Sequence, residues 1–477
     1  MPSLIPRDRP VARRVLREWV EPADIHAALD TGGAARFWLD SGIHAERGMS
    51  YLGEADRLVT SAGDGEVEWH PSGVVERMTL LEVLGRELID PAAALLGWIG
   101  WIGYGLGAET TGLPIARDTR RPEAAMLRVD RLIAVDHASH TVELLSAHSD
   151  GHPEALAWFD LVEARIEGVV ARRSSASEVS ATRSPPPRRP ARWRDAGARY
   201  DEEIRRCLEA IVDGEAYQLC LTTEVTVEGR IDPVDTWATL RQRSPSHHGG
   251  IIELRSSPRL PALALLSVSP ETFLEMEPDG TVRSKPIKGT RPRSPDAARD
   301  AEFAAELLTD EKELAENLMI VDLMRNDLGR VCALGSVSVP SLFEVQTYAH
   351  VHQLVSTVEG TLAAGVHPVD AIASCFPAGS MTGAPKRSAM RILDGLEGRA
   401  RGIYSGAFGY LGVDGSVDLA MIIRSIVVDD RGASIGSGGG ITALSDPGLE
   451  RAEVALKAAA LLDVLGVGDQ HDRVDDV

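Results

Sequence analysis

The chain has 477 residues, about three times a typical domain length, so two or three domains are expected. Apolar residues make up 44% and charged residues 25%, an ordinary globular balance that can bury a large core. Fifty basic against 71 acidic side chains leave a net charge of −21, which argues against nucleic acid as a partner but leaves room for a local pocket that takes an anion.

The opening stretch, MPSLIPRDRPVARR, is charged with no apolar run behind it, so no secretory signal is expected. The most apolar window, 95–107, holds five glycines and is too short to span a bilayer. A soluble, cytoplasmic protein without a membrane partner is the expectation. No βαβ pattern follows GWIGWIGYGLG, so its glycines read as places of close backbone packing and not as a nucleotide loop. Short strands and turns fill most of the first region, until Leu156, Phe159, Val162, Ile166 and Val169 mark a helix over 153–170.

Residues 172–194, RRSSASEVSATRSPPPRRPARWR, are rich in Ser, Pro and Arg and cannot build a core. They read as a linker between an N-terminal region (1–171) and a second region (195–467), with an acidic tail at 468–477. Past the linker, Tyr200, Ile204, Cys207, Leu208 and Ile211 mark a helix face, and Gly214 stands where a helix-ending glycine belongs. Alternation over 217–227 predicts a half-buried strand, with Tyr217, Leu219, Leu221, Val225 and Val227 on one face. Further strands are predicted at 262–268, 273–276, 282–287, 351–358, 403–411, 419–428 and 433–441. Helices are predicted near 297–308, 311–328, 369–375, 385–396 and 447–465. Hairpins mixed with helices, without a βαβ rhythm, give an α+β fold class. Cys207, Cys220, Cys332 and Cys375 are too few and scattered for a disulfide framework, and there is no C-x-x-C pair.

Three constellations could carry chemistry. Asp279-Gly280 is a two-residue turn signal that would set Glu271 opposite Lys288, roughly 5 Å apart at Cβ. Such a pair is either an acid with a nucleophilic amine or a plain cross-strand ion pair. Second, Glu313 and Glu316 share a helix face in KELAEN, as do Glu450, Glu453 and Lys457 in DPGLERAEVALK, where Asp446 and Pro447 open the helix. Four carboxylates from two helices could hold a hard divalent cation such as magnesium, or they could be two solvated faces. Third, FPAGSMTGAPKR and GSGGGI offer glycine-rich backbone for an anion, but neither has the spacing of a Walker or dinucleotide loop. Arg424 and Lys457 could supply cations nearby.

In chain order, EAYQLCLT, SPETF, KPIKGTRPR, KELAENLMIVDLMRNDLGRV, GSMTGAPKR, YSGAFGY and GGGI with SDP, Glu450, Glu453 and Lys457 resemble the chorismate-utilising enzymes across 200–465. The resemblance implies their fold: antiparallel sheets packed as a sandwich with helices outside. Members that hydroxylate C2 of chorismate carry a lysine where this chain has Gln218. Members that make anthranilate carry alanine where it has Lys288. That lysine is shared with the aminodeoxychorismate synthases. The resemblance therefore implies conversion of chorismate and ammonia to 4-amino-4-deoxychorismate, toward p-aminobenzoate and folate. Anthranilate synthesis, or the same chemistry in another pathway, are the alternatives.

Carried over residue by residue, Lys288 would be the nucleophile and Glu271 the general acid. Glu316 and Glu453 would hold Mg2+, with Glu313 and Glu450 in support. Arg424, Lys457, Tyr404 and the Gly438–Gly440 backbone would hold the pyruvyl group, and Gly289, Thr290 and Thr382 would complete the pocket. A lysine nucleophile implies a depressed pKa. The family's histidine before L-V-S is replaced by Gln353, with His352 one residue earlier, and Leu444 stands where aspartate is frequent. No glutaminase nucleophile motif is present, so a separate glutamine amidotransferase subunit, in a heterodimer, would supply ammonia. FWLDSG resembles a segment lining a tryptophan site in relatives, with Ser41 as its hydroxyl ligand, or it is a plain strand.

Overall fold

The structure, a computed structural model, describes residues 11–29, 32–89, 94–175, 189–195, 197–348 and 351–467. Residues 176–188 of the expected linker and the expected tail at 468–477 lie outside the described residues, as does the start of the chain.

Among the described residues, two antiparallel sheets of twelve strands each form the frame. The first runs through Ala35–Asp40, His248–Leu254, Leu263–Ser269, Ser425–Asp429, Gly432–Ile441 and Gln218–Glu228. The second runs through Ile287–Pro292, Val351–Thr361, Thr281–Ser284, Thr272–Met276, Val417–Met421, Ala407–Gly412 and Gly97–Ile102. Strands from both sides of 172–194 enter both sheets: Ala35–Asp40 pairs with His248–Leu254, and Gly97–Ile102 with Ala407–Gly412.

The sheets form a sandwich, as the period-2 alternation of side chains shows. Phe37 and Leu39 pack inward with Ile99, Trp101, Phe408 and Tyr410 of the opposite sheet. Trp38, between them, faces outward onto a second core that includes Trp158 and Phe159 of the helix Pro153–Ser175, Trp237 and Leu461. A third core covers the outer face of the other sheet with the helices Leu80–Ile89, Glu311–Gly329 and Pro368–Cys375. The fold is thus α+β, a sandwich clad in helices. Among the described residues, no helix is long and apolar enough to cross a membrane.

Local sequence explains several element ends. Asp310 and Asp446 cap their helices by accepting backbone N–H bonds from Glu313 (3.2 Å) and Leu449 (3.0 Å). The helix Ala198–Val212 ends with Gly214 at φ +79°, where the Glu215 N–H bonds back to the Ala210 carbonyl. In GWIGWIGYGLG, a Cβ on Gly100 would strike the Ala125 carbonyl and one on Gly103 the Glu123 carbonyl, so the glycines permit backbone contact.

Four expectations need correction. The strand predicted at 282–287 is two, Thr281–Ser284 and Ile287–Pro292, parted by Lys285-Pro286, because proline cannot donate to the ladder. The one at 419–428 is also two, Val417–Met421 and Ser425–Asp429, which lie in different sheets. The one at 403–411 starts only at Ala407. The hairpin register differs by one residue: Glu275 faces Arg283 and Met276 faces Val282. Its loop is Pro278-Asp279-Gly280, closed by the Glu277 N–H on the Thr281 carbonyl (2.9 Å), with Gly280 at φ +88°. Three residues in the turn, not two, remove the direct pairing of Glu271 with Lys288.

Candidate active site

Two of the places where the chain passes between sheets lie side by side. Ser269-Pro270-Glu271 links Leu263–Ser269 to Thr272–Met276, and Ile422-Ile423-Arg424 links Val417–Met421 to Ser425–Asp429. The Met421 N–H donates to the Glu271 carbonyl (3.0 Å) and the Val268 N–H to the Arg424 carbonyl (3.2 Å). Glu271 and Arg424, far apart in sequence, are set at one end of the sandwich by these bonds. Arg424 has φ +51°, a conformation L-residues seldom adopt.

Lys288 arrives from the strand Ile287–Pro292. Its register on Val351–Thr361 jumps between Lys288, opposite Leu354, and Thr290, opposite Gln353, so Gly289 is the extra residue of a β-bulge. Gly289 has φ +74°. Bulges re-aim side chains. Here Lys288 Nζ lies 3.3 Å from Glu316 Oε2 on the helix Glu311–Gly329. Glu271 reaches the same strand by a different route from the expected pairing, accepting bonds from the Ile287 N–H and the Ser380 hydroxyl.

The four glutamates lie on two helices that Lys312 joins, and among the described residues no three of their carboxylates stand within 4.8 Å of one another. Lys312 Nζ donates to Glu450 Oε1 at 2.7 Å and stands 3.9 Å from Glu316 Oε1, which ties the first turn of Glu311–Gly329 to that of Pro447–Val464. The Ser445 hydroxyl adds a 2.6 Å bond to Glu450. Lys457 Nζ is 2.7 Å from Glu453 Oε1 and donates to the Gly438 carbonyl at 3.0 Å, while Arg424 Nη1 donates to the Lys457 carbonyl. Glycine is required along Gly432–Ile441: a Cβ on Gly436 would enter the Tyr404 ring, and one on Gly440 would meet the Gln218 amide. Gln218 is fully buried with neither amide atom hydrogen-bonded. Gln218 and Thr222 belong to the face expected to meet solvent, yet both are buried, and Tyr217 on the expected apolar face is exposed.

The electrostatics follow from this packing. Burial pushes the Glu271 carboxyl up, against the opposing pull of the Lys288 ammonium. Burial also raises Glu313, with Glu316 and Asp310 adding repulsion. For Lys288, burial by itself would lower the ammonium, but Glu316, Cys220 and Glu271 outweigh it and hold it above its ordinary value. That corrects the expected depressed amine, because the neighbours are acidic groups.

Other expected residues take varied places. Gly289 abuts Glu313, since a Cβ there would come within 3.3 Å of the Glu313 carboxyl carbon. Thr290 is exposed beside the site. Thr382 is buried and its hydroxyl donates to the Ala378 carbonyl (3.2 Å) within the short helix Gly379–Thr382. His352 is buried between Thr347 Oγ1 (2.9 Å) and Asp300 Oδ1 (3.0 Å). Leu444 is exposed. Ser41 ends the strand Ala35–Asp40, where its hydroxyl donates to the Met49 carbonyl at 2.7 Å. Sequence reasoning missed Ser380 and Lys312. Nothing in the sequence marks the first, whereas the second stands four residues before Glu316, one helical turn away.

A family model described as chorismate binding enzyme matches residues 34–463. The chain belongs to this family. It is 41% identical to an aminodeoxychorismate synthase of Streptomyces pristinaespiralis over 92% of its own length and 63% of that protein. It is 38% identical to one of Streptomyces griseus, over 96% and 64%. The chain thus spans less than two thirds of these relatives. Against an anthranilate synthase component 1 of Streptomyces coelicolor it is 36% identical over 95% of its length and 88% of that protein. Among solved structures, anthranilate synthase component I from Streptococcus pneumoniae TIGR4 superposes with a TM-score of 0.73 at 25% identity, covering 94% of this chain and 98% of that one.

Proposed function

We propose that this family member converts chorismate and ammonia to 4-amino-4-deoxychorismate through a covalent adduct of Lys288. What carries the reading is Lys288 itself, a largely covered amine aimed by a bulge at buried Glu316 and close to a second buried carboxyl, Glu271. The aminodeoxychorismate synthases among its relatives support it.

The chemistry needs two displacements. In the first, free-base Lys288 Nζ bonds to C2, the ring double bonds shift, and the C4–O bond breaks. Glu271, whose carboxyl burial pushes up, gives its proton to the departing hydroxyl, which leaves as water. In the second, ammonia bonds to C4, the double bonds shift back, and the C2–N bond to Lys288 breaks. Glu271 and the returning amine share the protons released by ammonia. No net oxidation occurs. Lys288 is nucleophilic only without its proton, so Glu316 must first withdraw from the ion pair and let burial act in the lowering direction.

The donor set suits a hard cation, being all carboxylate oxygen with three ammonium groups standing against it. Mg2+ held by Glu316 and Glu453, with Glu313 and Glu450 in support, would supply a fixed positive charge for a substrate carboxylate. Arg424, Lys457, Tyr404 and the Gly438 and Gly440 backbone would hold the pyruvyl side chain, and Gly289, Thr290 and Thr382 the ring. A separate glutaminase subunit is the proposed ammonia source, and p-aminobenzoate and folate synthesis in the cytoplasm the proposed setting.

The test is mass spectrometry of the protein and its product with chorismate, ammonium and Mg2+. A substrate-derived increment on the Lys288 peptide, absent from Lys288→Ala, and a product that keeps its enolpyruvyl group are expected. Free anthranilate would favour the reading drawn from the anthranilate synthase relatives. Full turnover by Lys288→Ala would remove the nucleophile.

A further inference from the structure

Of the 50 lysine and arginine side chains only five are lysine: Lys285, Lys288, Lys312, Lys386 and Lys457. Arginine fills every other cationic position, so lysine is kept where its compact charge and flexible stem matter. Three of the five converge on the four glutamates. The proposed reaction gives Lys288 and Lys457 tasks, and it gives Lys312 none.

Lys312 is built differently from its neighbours. Its ammonium meets Glu450 at 2.7 Å and Glu316 at 3.9 Å, two carboxylates on different helices. Glu450 is enclosed, at 2% exposure, while a third of the Lys312 side chain is open to solvent. The lysine thus reaches into the cluster from outside, on a stem long enough to swing back. An arginine fork would bind two carboxylates with fixed geometry, whereas an ammonium is a point charge that another cation can replace.

We propose that Lys312 is a displaceable internal counter-ion: its ammonium stands on Glu450 and Glu316 when no metal is bound and moves to solvent when a divalent cation takes these carboxylates. The proposal rests on the reading of the glutamates as a cation site. Its consequence is a threshold. Metal affinity is reduced by the fraction of molecules in which Lys312 occupies the glutamates, so the lysine sets the metal concentration at which the site fills.

The experiment uses the whole chain and metal alone, without chorismate. Calorimetric titration with Mg2+, and with Mn2+ followed by electron paramagnetic resonance, should show Lys312→Gln binding on the order of tenfold tighter than the native protein. Lys312→Arg, which keeps the charge and grips harder, should bind more weakly. Reductive methylation read by peptide mass spectrometry gives a second measure on the native protein. Mg2+ should raise labelling of Lys312 and leave Lys386, held by Asp327 at 2.6 Å, unchanged. An affinity in Lys312→Gln that is unchanged or weaker, or Lys312 labelling that Mg2+ leaves unaltered or lowers, overturns the counter-ion role while the cation site stands. No binding of either metal to native protein or variant overturns both.

Discussion

Replacing Gly289 with alanine tests whether the bulge aims Lys288. At φ +74° an L-residue costs about 1–2 kcal/mol. The new methyl would also sit 2.9 Å from Leu307 Cδ2 and 3.3 Å from the Glu313 carboxyl carbon. Leu307 is fully buried and has no solvent to turn into, so overpacking adds about 1–3 kcal/mol. The sum, about 3 kcal/mol, is enough to favour a flattened bulge with ordinary φ. Lys288 would then move away from Glu316 and from the substrate. A displacement near 1 Å at a reacting group lowers a rate by about 100-fold. Urea unfolding followed by tryptophan fluorescence should show the stability loss, and steady-state kinetics with chorismate and ammonium should show kcat down about 100-fold with KM changed far less. Turnover within twofold of the native protein, with stability unchanged, would refute the claim that this bulge positions the amine.

Gly395→Ala, inside the helix Lys386–Glu397 where no atom lies within 4 Å of the new methyl, should stabilise the protein by about 0.5–1 kcal/mol in the same urea titration. Glu123 is fully enclosed and accepts the Gly105 and Asp118 N–H groups, and burial pushes its carboxyl up to about 7. The folded chain therefore keeps a proton that the unfolded chain loses near 4.5, so stability falls as pH rises from about 4.5 to about 7 and is flat above. The drop from this group is about 3 kcal/mol, and Glu123→Gln should flatten that slope. Glu453→Gln should raise the Mg2+ concentration for half-maximal activity by at least ~10-fold, read by titrating activity against metal. An unchanged requirement would take Glu453 out of the ligand set.

The sequence by itself determined the local parts of this protein. Asp446 announced a helix start, Gly214 a helix end, and alternation drew the strand Gln218–Glu228 to within a residue, because caps and side-chain periods depend on neighbours a few positions away. Motif order showed the family resemblance and with it the candidate residues. Tertiary structure alone decided how those parts meet. Asp279-Gly280 looked like the whole turn, but the third turn residue shifted the register, and Glu271 came to Lys288 through the Ile287 N–H. The buried polar face of Gln218 and Thr222 read as a solvent face, since period two separates faces without saying what covers them. The sign of φ at Gly289 and the meeting of Lys312 with Glu450, 138 residues later, follow from long-range strand pairing and helix packing, which no local pattern encodes.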